Sequence, residues 1–347
     1  VNSLRPVSGT PRAVAGLLRD WLTAAAEPRP LVVETSGSTG TPKRVVLSRA
    51  AVTASARATA ERLGTTSTPA RGQWLLTLPA SYVAGIQVMV RSLLSGHEPV
   101  LLDEHPSLAE AAATMTHPRF VSLVPTQLHR LLGSDEEVAE LQTFHSILLG
   151  GGPIDPALRT SAGEAGLRIV TTYGASETSG GCVYDGYPLP GVELGLDRHG
   201  RIKIRGPMLF DGYEGDPMLT RAALVDGWFL TSDLGRIDLD GRLHVLGRKD
   251  DVVVSGGVNV PAAAVASRLR AHPRVSAVEV VGVPDEEWGQ MVVAFVVGGL
   301  SLDEARNWVA ECHPRAWAPH RVVHLTALPL LPNGKVDRRA LTEEGSG

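Results

Sequence analysis

The segment Thr35-Ser36-Gly37-Ser38-Thr39-Gly40-Thr41-Pro42-Lys43 lies between Leu31–Glu34 and Val45–Leu47, two short runs that read as strands. Glycines allow a backbone to approach an oxyanion and turn its N–H groups inward, hydroxyls add donors, and Lys43 supplies a cation. The stretch therefore reads as a phosphate loop set between strands. Taken alone it also fits a flexible Ser/Gly hairpin turn. A P-loop kinase is disfavoured, because the spacing G-x-x-x-x-G-K-[ST] is absent and Arg44 stands where a magnesium-binding hydroxyl would be needed.

Upstream of this segment, Val14, Leu17, Leu18, Trp21 and Leu22 recur at helical spacing. Downstream, Ser48 is placed to cap a helix running to about Leu63. Strand-like runs follow at Trp74–Leu78, Val100–Leu102, Phe120–Val124, Ile147–Leu149 and Arg168–Thr172, with helical patterns between them. That alternation predicts an α/β fold. From Gly191 to Gly247 the pattern changes to short runs broken by Gly, Asp and Pro, which reads as a mostly antiparallel region. The chain then restarts with Val252–Val254, a helix opened by Pro261, strands Ala277–Val283 and Val292–Val297, and a helix over Leu302–Cys312. A boundary near Lys249 and Asp250 gives a large domain, 1–249, and a small α+β domain, 250–347, as expected for a chain of 347 residues.

A hydrophobic fraction of 43% with 20% charged residues suits a globular chain with a substantial core. The formal charge of -4 and the scattered Lys and Arg call for no nucleic-acid or anionic-membrane partner. The two cysteines, Cys182 and Cys312, have neither zinc-site nor disulfide-framework spacing and fit a reducing compartment. Arg5, Arg12, Arg19, Asp20 and Glu27 interrupt any signal or membrane-spanning segment near the start, so the expectation is a cytoplasmic protein without membrane insertion. The target is a small molecule, and the oligomeric state is left open, a homodimer included.

Further constellations carry chemistry. Gly150-Gly151-Gly152-Pro153 follows a strand, where glycine lets a flat group lie against the backbone, though a helix-entry loop fits as well. In Thr171-Thr172-Tyr173-Gly174-Ala175-Ser176-Glu177-Thr178, Tyr173 offers a stacking face and Glu177 a hard oxygen for magnesium. Asp233, in Thr231-Ser232-Asp233-Leu234-Gly235, can accept two hydroxyl protons. Gly247-Arg248-Lys249-Asp250-Asp251 is a charged turn, Ser255-Gly256-Gly257-Val258 a glycine loop, and Lys335 sits in Leu331-Pro332-Asn333-Gly334-Lys335.

In this order and at these distances the motifs resemble those of the acyl-adenylate-forming superfamily, which includes acyl-CoA synthetases, firefly luciferase and nonribosomal adenylation domains; the resemblance extends from about Leu31 to Arg338. It implies a large N-terminal adenylation domain of mixed sheets with packed helices and a small mobile α+β C-terminal domain. It also implies ATP, Mg2+ and coenzyme A as reactants or cofactors. Thr35, Ser36, Gly37, Ser38, Thr39, Gly40, Thr41 and Lys43 would bind phosphate. Gly151, Gly152, Pro153, Thr172, Tyr173, Gly174 and Ser176 would frame the nucleotide, Asp233 would hold the ribose with Arg248 nearby, and Glu177 would carry magnesium. Asp250 would be the hinge, Gly256 and Gly257 the thiol-transfer loop, and Lys335 the catalytic cation that offsets charge building around the α-phosphorus.

Within the superfamily, Leu78–Gly85, Ser122–Leu128 and Ser176–Gly186 look most like the o-succinylbenzoate-CoA ligases of menaquinone biosynthesis. The acyl pocket is then expected from Tyr82, Gly85, Ser122, Thr126, Gly150, Ser179 and Gly180. Tyr82 departs from the histidine that many relatives carry. The 34 residues ahead of the phosphate loop are fewer than in typical members, so part of one subdomain is expected to be missing or rebuilt. The substrate's second carboxylate needs a polar or basic partner, for which hydroxyls near Ser122, Thr126 and Ser179, water, and an arginine all stay open. Other readings are a CoA ligase or adenylation domain for another acid, and a non-catalytic nucleotide sensor.

Overall fold

A computed structural model describes residues 6–35, 42–65, 72–116, 118–330 and 336–345. The chain divides into two compact units, Val1–Gly195 with Lys203–Leu230, and Leu196–Ile202 with Thr231–Gly347.

In the first unit β1 (Leu31–Thr35) and β2 (Lys43–Leu47) pair antiparallel, with Thr35 opposite Lys43, and the short strand Gly212–Tyr213 joins the free edge of β2. A larger sheet is built from β3 (Gln73–Leu76), β4 (Val100–Leu101), β5 (Arg119–Leu123), β6 (Ser146–Leu149), β7 (Ile169–Ala175), β8 (Gly180–Tyr184) and β9 (Tyr187–Pro188). Its spatial order is β4-β3-β5-β6-β7-β8-β9. The ladder is parallel from β4 to β7 and turns antiparallel at β8 and β9. Parallel strands covered on both faces need continuous apolar runs rather than alternation. Trp74–Leu76 and Ile147–Leu149 meet that need and are buried along their length. Leu75, Ile147 and Leu149 of these runs join a core of Val121, Leu123, Leu128, Leu141 and Phe144, where each fully buried large side chain contributes about 1.5–3 kcal/mol.

Three helices matter for the site. α1 (Pro11–Thr23) starts with proline at its first position behind a Thr10 cap. α2 (Arg49–Arg62) starts where the Ser48 hydroxyl accepts from the Ala51 N–H at 3.3 Å, matching the cap read from sequence. α3 (Val83–Leu94) is buried from Gly85 to Ser92, and that buried stretch includes Gln87 and Arg91. The sequence reading ended the strand after Arg168 at Thr172, whereas β7 continues to Ala175. Its extension pairs with β8, Thr172 opposite Tyr184 and Ala175 opposite Gly180. Glycines 174, 180 and 181 lower strand propensity and so hide this pairing in the sequence. They also permit it: a Cβ on Gly174 would lie 2.1 Å from the Gly180 carbonyl oxygen.

In the second unit the strands run in the order Val258–Pro261, Val252–Ser255, Gly289–Gly298, Val275–Asp285, with Arg321–His324 parallel to Gly289–Gly298. Helices Ala262–Arg270 and Leu302–Ala310 pack into one cluster with Val278, Val280 and Val292, and Leu341 of helix Arg338–Gly345 joins a second with Val283 and Phe295. Pro261 closes a strand and caps the following helix instead of occupying its first turn. Ser301 and Glu304 form a capping box. The strands and helices of this unit make the α+β arrangement expected.

Candidate active site

Glu177 sits in a one-turn 3-10 segment, Ser176–Thr178, between β7 and β8. The turn is fixed from inside by the buried Thr178 hydroxyl, which accepts from the Ala175 N–H at 2.8 Å and lies 2.7 Å from the Gly180 carbonyl oxygen. The Tyr213 hydroxyl donates to Glu177 Oε1 at 2.7 Å, and the Phe210 N–H donates to the Glu177 carbonyl at 2.9 Å. Burial, helped by the neighbouring carboxylate, raises the Tyr213 pKa, so the phenol stays a donor. Lys43 Nζ lies 5.6 Å from the centre of the Tyr213 ring, within cation–π reach. The end of the predicted phosphate loop and the predicted magnesium carboxylate thus converge on one tyrosine. Among the described residues no cluster of three or more His, Cys, Asp or Glu could hold a metal.

Beside this corner a cavity of about 280 Å³ opens between α3 and the ends of β5 to β8. Ser122, Gly150, Gly151, Thr172, Gly174, Ser176 and Gly180 line it, all of them site candidates from sequence. Glycine keeps the space open: a Cβ on Gly181 would approach the Tyr184 ring at 3.1 Å, and one on Gly180 would approach Gln87 at 3.2 Å. Tyr82, Gly85, Thr126 and Ser179 are not among the lining residues. Tyr82 is exposed at the start of α3, and Thr126 is exposed in the helix after β5. A Cβ on Gly85 would lie 2.2 Å from the Pro79 carbonyl oxygen, so that glycine serves close backbone packing. The Ser179 hydroxyl donates to the Met208 carbonyl at 2.8 Å and is fully buried. Gly152 and Pro153 are exposed beyond Gly151, and Tyr173 is half-buried on β7.

Two polar side chains of α3 reach the cavity without having been read as site residues. Gln87 Nε2 donates to the Val52 carbonyl at 3.1 Å, and its Oε1 is buried without a hydrogen-bond partner. Arg91, 7% exposed, donates from Nη2 to the Tyr184 hydroxyl at 3.3 Å and lies over the Trp74 ring at 5.1 Å, while its Nε is buried and unpartnered. Burial lowers its pKa, and among the described residues no carboxylate neutralises it. The sequence signal was available in α3: a polar pair four residues apart in an otherwise apolar helix shares one face. Burial also pushes the Cys182 thiol up to about 12, away from the thiolate form that nucleophilic attack needs.

In the second unit Asp233 and Arg248 stand opposite each other in the antiparallel pair Trp228–Ile237 and Leu243–Arg248. The buried Thr231 hydroxyl accepts from the Asp233 N–H at 3.0 Å and donates to the Ile202 carbonyl at 2.9 Å, fixing the backbone there. Asp250 is exposed in a 3-10 turn, 3.8 Å from Arg248. Gly256 and Gly257 form a two-residue hairpin turn between the paired residues Ser255 and Val258, with φ of +55° and +80° that favour glycine. Ser36, Gly37, Ser38, Thr39, Gly40, Thr41 and Lys335 lie outside the described residues. The hairpin register does fix both ends of the phosphate segment, at Thr35 and Lys43.

Comparison with known proteins is consistent with this geometry. Residues 31–214 match the AMP-binding enzyme family and residues 264–335 the AMP-binding enzyme C-terminal domain. A probable 2-succinylbenzoate–CoA ligase of Mycobacterium tuberculosis is 40% identical over 91% of this chain and 85% of its own length. The 2-succinylbenzoate–CoA ligase of Listeria monocytogenes is 32% identical over 95% and 72%. Among solved structures, the o-succinylbenzoate CoA synthetase (MenE) of Bacillus subtilis in complex with the acyl-adenylate intermediate OSB-AMP aligns with a TM-score of 0.72 at 29% identity, over 90% of this chain and 68% of that one. With its nucleotide motifs in family order and relatives matched over most of their length, the chain belongs to the AMP-binding enzyme family.

Proposed function

We propose that the protein is a 2-succinylbenzoate–CoA ligase of menaquinone biosynthesis, converting ATP, 2-succinylbenzoate and coenzyme A into 2-succinylbenzoyl-CoA, AMP and pyrophosphate through an acyl-adenylate. The ligases it resembles support the reaction class. The observation that carries the choice of acid is Arg91: a buried cation without a carboxylate of its own lines a glycine-walled cavity beside the nucleotide corner. A buried charge left unpaired is expensive, and the ring carboxylate of an aromatic diacid would supply the missing partner. The succinyl carboxylate is then free to react at the other end.

In the first step an oxygen of the succinyl carboxylate attacks the α-phosphorus and the bond to pyrophosphate breaks. Lys43 and the phosphate segment bind the leaving phosphates, and Lys335 offsets charge on the α-phosphoryl oxygens. Magnesium, when bound at Glu177, supplies charge neutralisation of the phosphates, and the Tyr213 hydroxyl orients that carboxylate. Asp233 accepts the ribose hydroxyl protons, with Arg248 beside it. In the second step the coenzyme A sulfur attacks the acyl carbonyl and AMP leaves. Residues 250–347 act as the lid that carries Lys335, with Asp250 as its hinge and Gly256 and Gly257 as its thiol-transfer loop. No helix among the described residues is long and apolar enough to cross a membrane, and the proposed setting is the cytoplasm.

The test is to incubate the purified protein with ATP, Mg2+, coenzyme A and 2-succinylbenzoate and to follow acyl-CoA and AMP by mass spectrometry. Faster turnover of a simple aryl or medium-chain acid would overturn the substrate assignment. ATP binding with no acyl-AMP from any acid would overturn the catalytic one.

A further inference from the structure

We infer that Tyr184 is a positioning residue that holds the Arg91 guanidinium on the acyl side of its helix and thereby sets the preference for an acid with a second carboxylate. This rests on the substrate reading proposed above. Tyr184 ends β8, is fully buried, and places its hydroxyl 2.9 Å from Thr59 Oγ1 of α2 and 3.3 Å from Arg91 Nη2 of α3. A guanidinium has only donors, so the phenol oxygen accepts from Arg91. The same hydroxyl is hydrogen-bonded to Thr59, so the phenol is held from α2 while it accepts from Arg91 on α3.

The tether matters because Arg91 borders two cavities. One is the acyl cavity, which Tyr184 also lines; the other, of about 290 Å³, lies against Arg57, Ala60, Trp74 and Leu94. A long, rotamer-rich side chain between two spaces distributes over both unless something fixes it. Trp74 lines this second cavity and not the acyl one, so its ring draws the guanidinium away from the acyl side and does not hold it there. The Tyr184 hydroxyl does, because Tyr184 belongs to the acyl cavity alone. Fixing the cation before the substrate arrives avoids an ordering penalty on binding.

The experiment compares kcat/KM for 2-succinylbenzoate with that for 4-oxo-4-phenylbutanoate, which keeps the reacting carboxylate and lacks the one on the ring. Tyr184→Phe is expected to lower the ratio of the two about tenfold, mainly through KM of the diacid, the scale of one hydrogen bond to a charged group. Thr59→Val is expected to lower the ratio in the same direction and Thr59→Ser to restore it. An equal loss for both acids, or a ratio within about twofold of the wild type, would show that Tyr184 only fills space and would end the proposal. If Tyr184→Phe does not fold, the Thr59 pair decides: a ratio unchanged in the valine variant overturns the inference. Failure of the wild-type protein to use 2-succinylbenzoate overturns the substrate reading together with this inference, and is seen before any variant is made.

Discussion

Replacing Arg91 with methionine should move stability and activity in opposite directions. Arg91 is 7% exposed, and among the described residues its guanidinium makes a 3.3 Å bond to the Tyr184 phenol and a 5.1 Å approach to the Trp74 ring. Desolvating such an ion costs several kcal/mol. A charged hydrogen bond returns about 1.5–3 kcal/mol at good geometry, and less at this length. A buried cation–π contact returns about 2 kcal/mol. The site is therefore close to balance or in deficit without substrate. Methionine keeps much of the aliphatic packing, so Arg91→Met should unfold at the same or a higher urea midpoint, with a gain of up to about 1–4 kcal/mol. Truncating one member of a buried charge pair in the complex costs about 2–5 kcal/mol, which is about 30- to 5000-fold in kcat/KM for the diacid. Pyrophosphate release with 2-succinylbenzoate and with 4-oxo-4-phenylbutanoate, alongside urea melts, reads both signs. A variant that loses more than about 2 kcal/mol of stability and loses both acids equally would show that Arg91 is structural.

Other perturbations address the rest of the site. Tyr213→Phe removes the donor to Glu177 and should raise the Mg2+ concentration needed for half-maximal pyrophosphate release, with adenylation slowed about tenfold; an unchanged magnesium titration counts against the orienting role. Lys335→Ala should abolish pyrophosphate release yet leave thioester formation from purified acyl-adenylate largely intact, and loss of only the second step would sink its assignment. Gly174→Ala sets a methyl 2.1 Å from the Gly180 carbonyl oxygen, so β7 and β8 must separate, at about 1–3 kcal/mol in urea unfolding; a neutral result would mean that the strand pair yields freely.

Local signals were legible in the sequence because their causes are local. The Ser48 cap needs one hydroxyl next to a helix start, the buried runs Trp74–Leu76 and Ile147–Leu149 announce covered strands, and the phosphate segment shows its glycines. Features that join distant segments were not legible. Tyr213 meets Glu177 because Gly212–Tyr213 adds to β2, and no pattern near either residue encodes that pairing. Tyr184 meets Thr59 and Arg91 across two helices and a strand. Ser179 looked like a pocket hydroxyl, but its left-handed backbone, φ of +51°, and its bond to the Met208 carbonyl turn it to holding the chain in place. Glycine had two meanings that sequence alone does not separate. Gly180 lines an open cavity, whereas Gly85 leaves room for the Pro79 carbonyl.

The buried Cys182 thiol bears on the enzyme's survival in its own reaction. A mixed anhydride of a carboxylate and AMP acylates available thiolates, and this cysteine adjoins Gly181, which lines the cavity where the proposed anhydride would form. Burial disfavours the thiolate of this sulfur and so works against self-inactivation. The same packing that closes the strand would then let the proposed anhydride wait for an external acceptor.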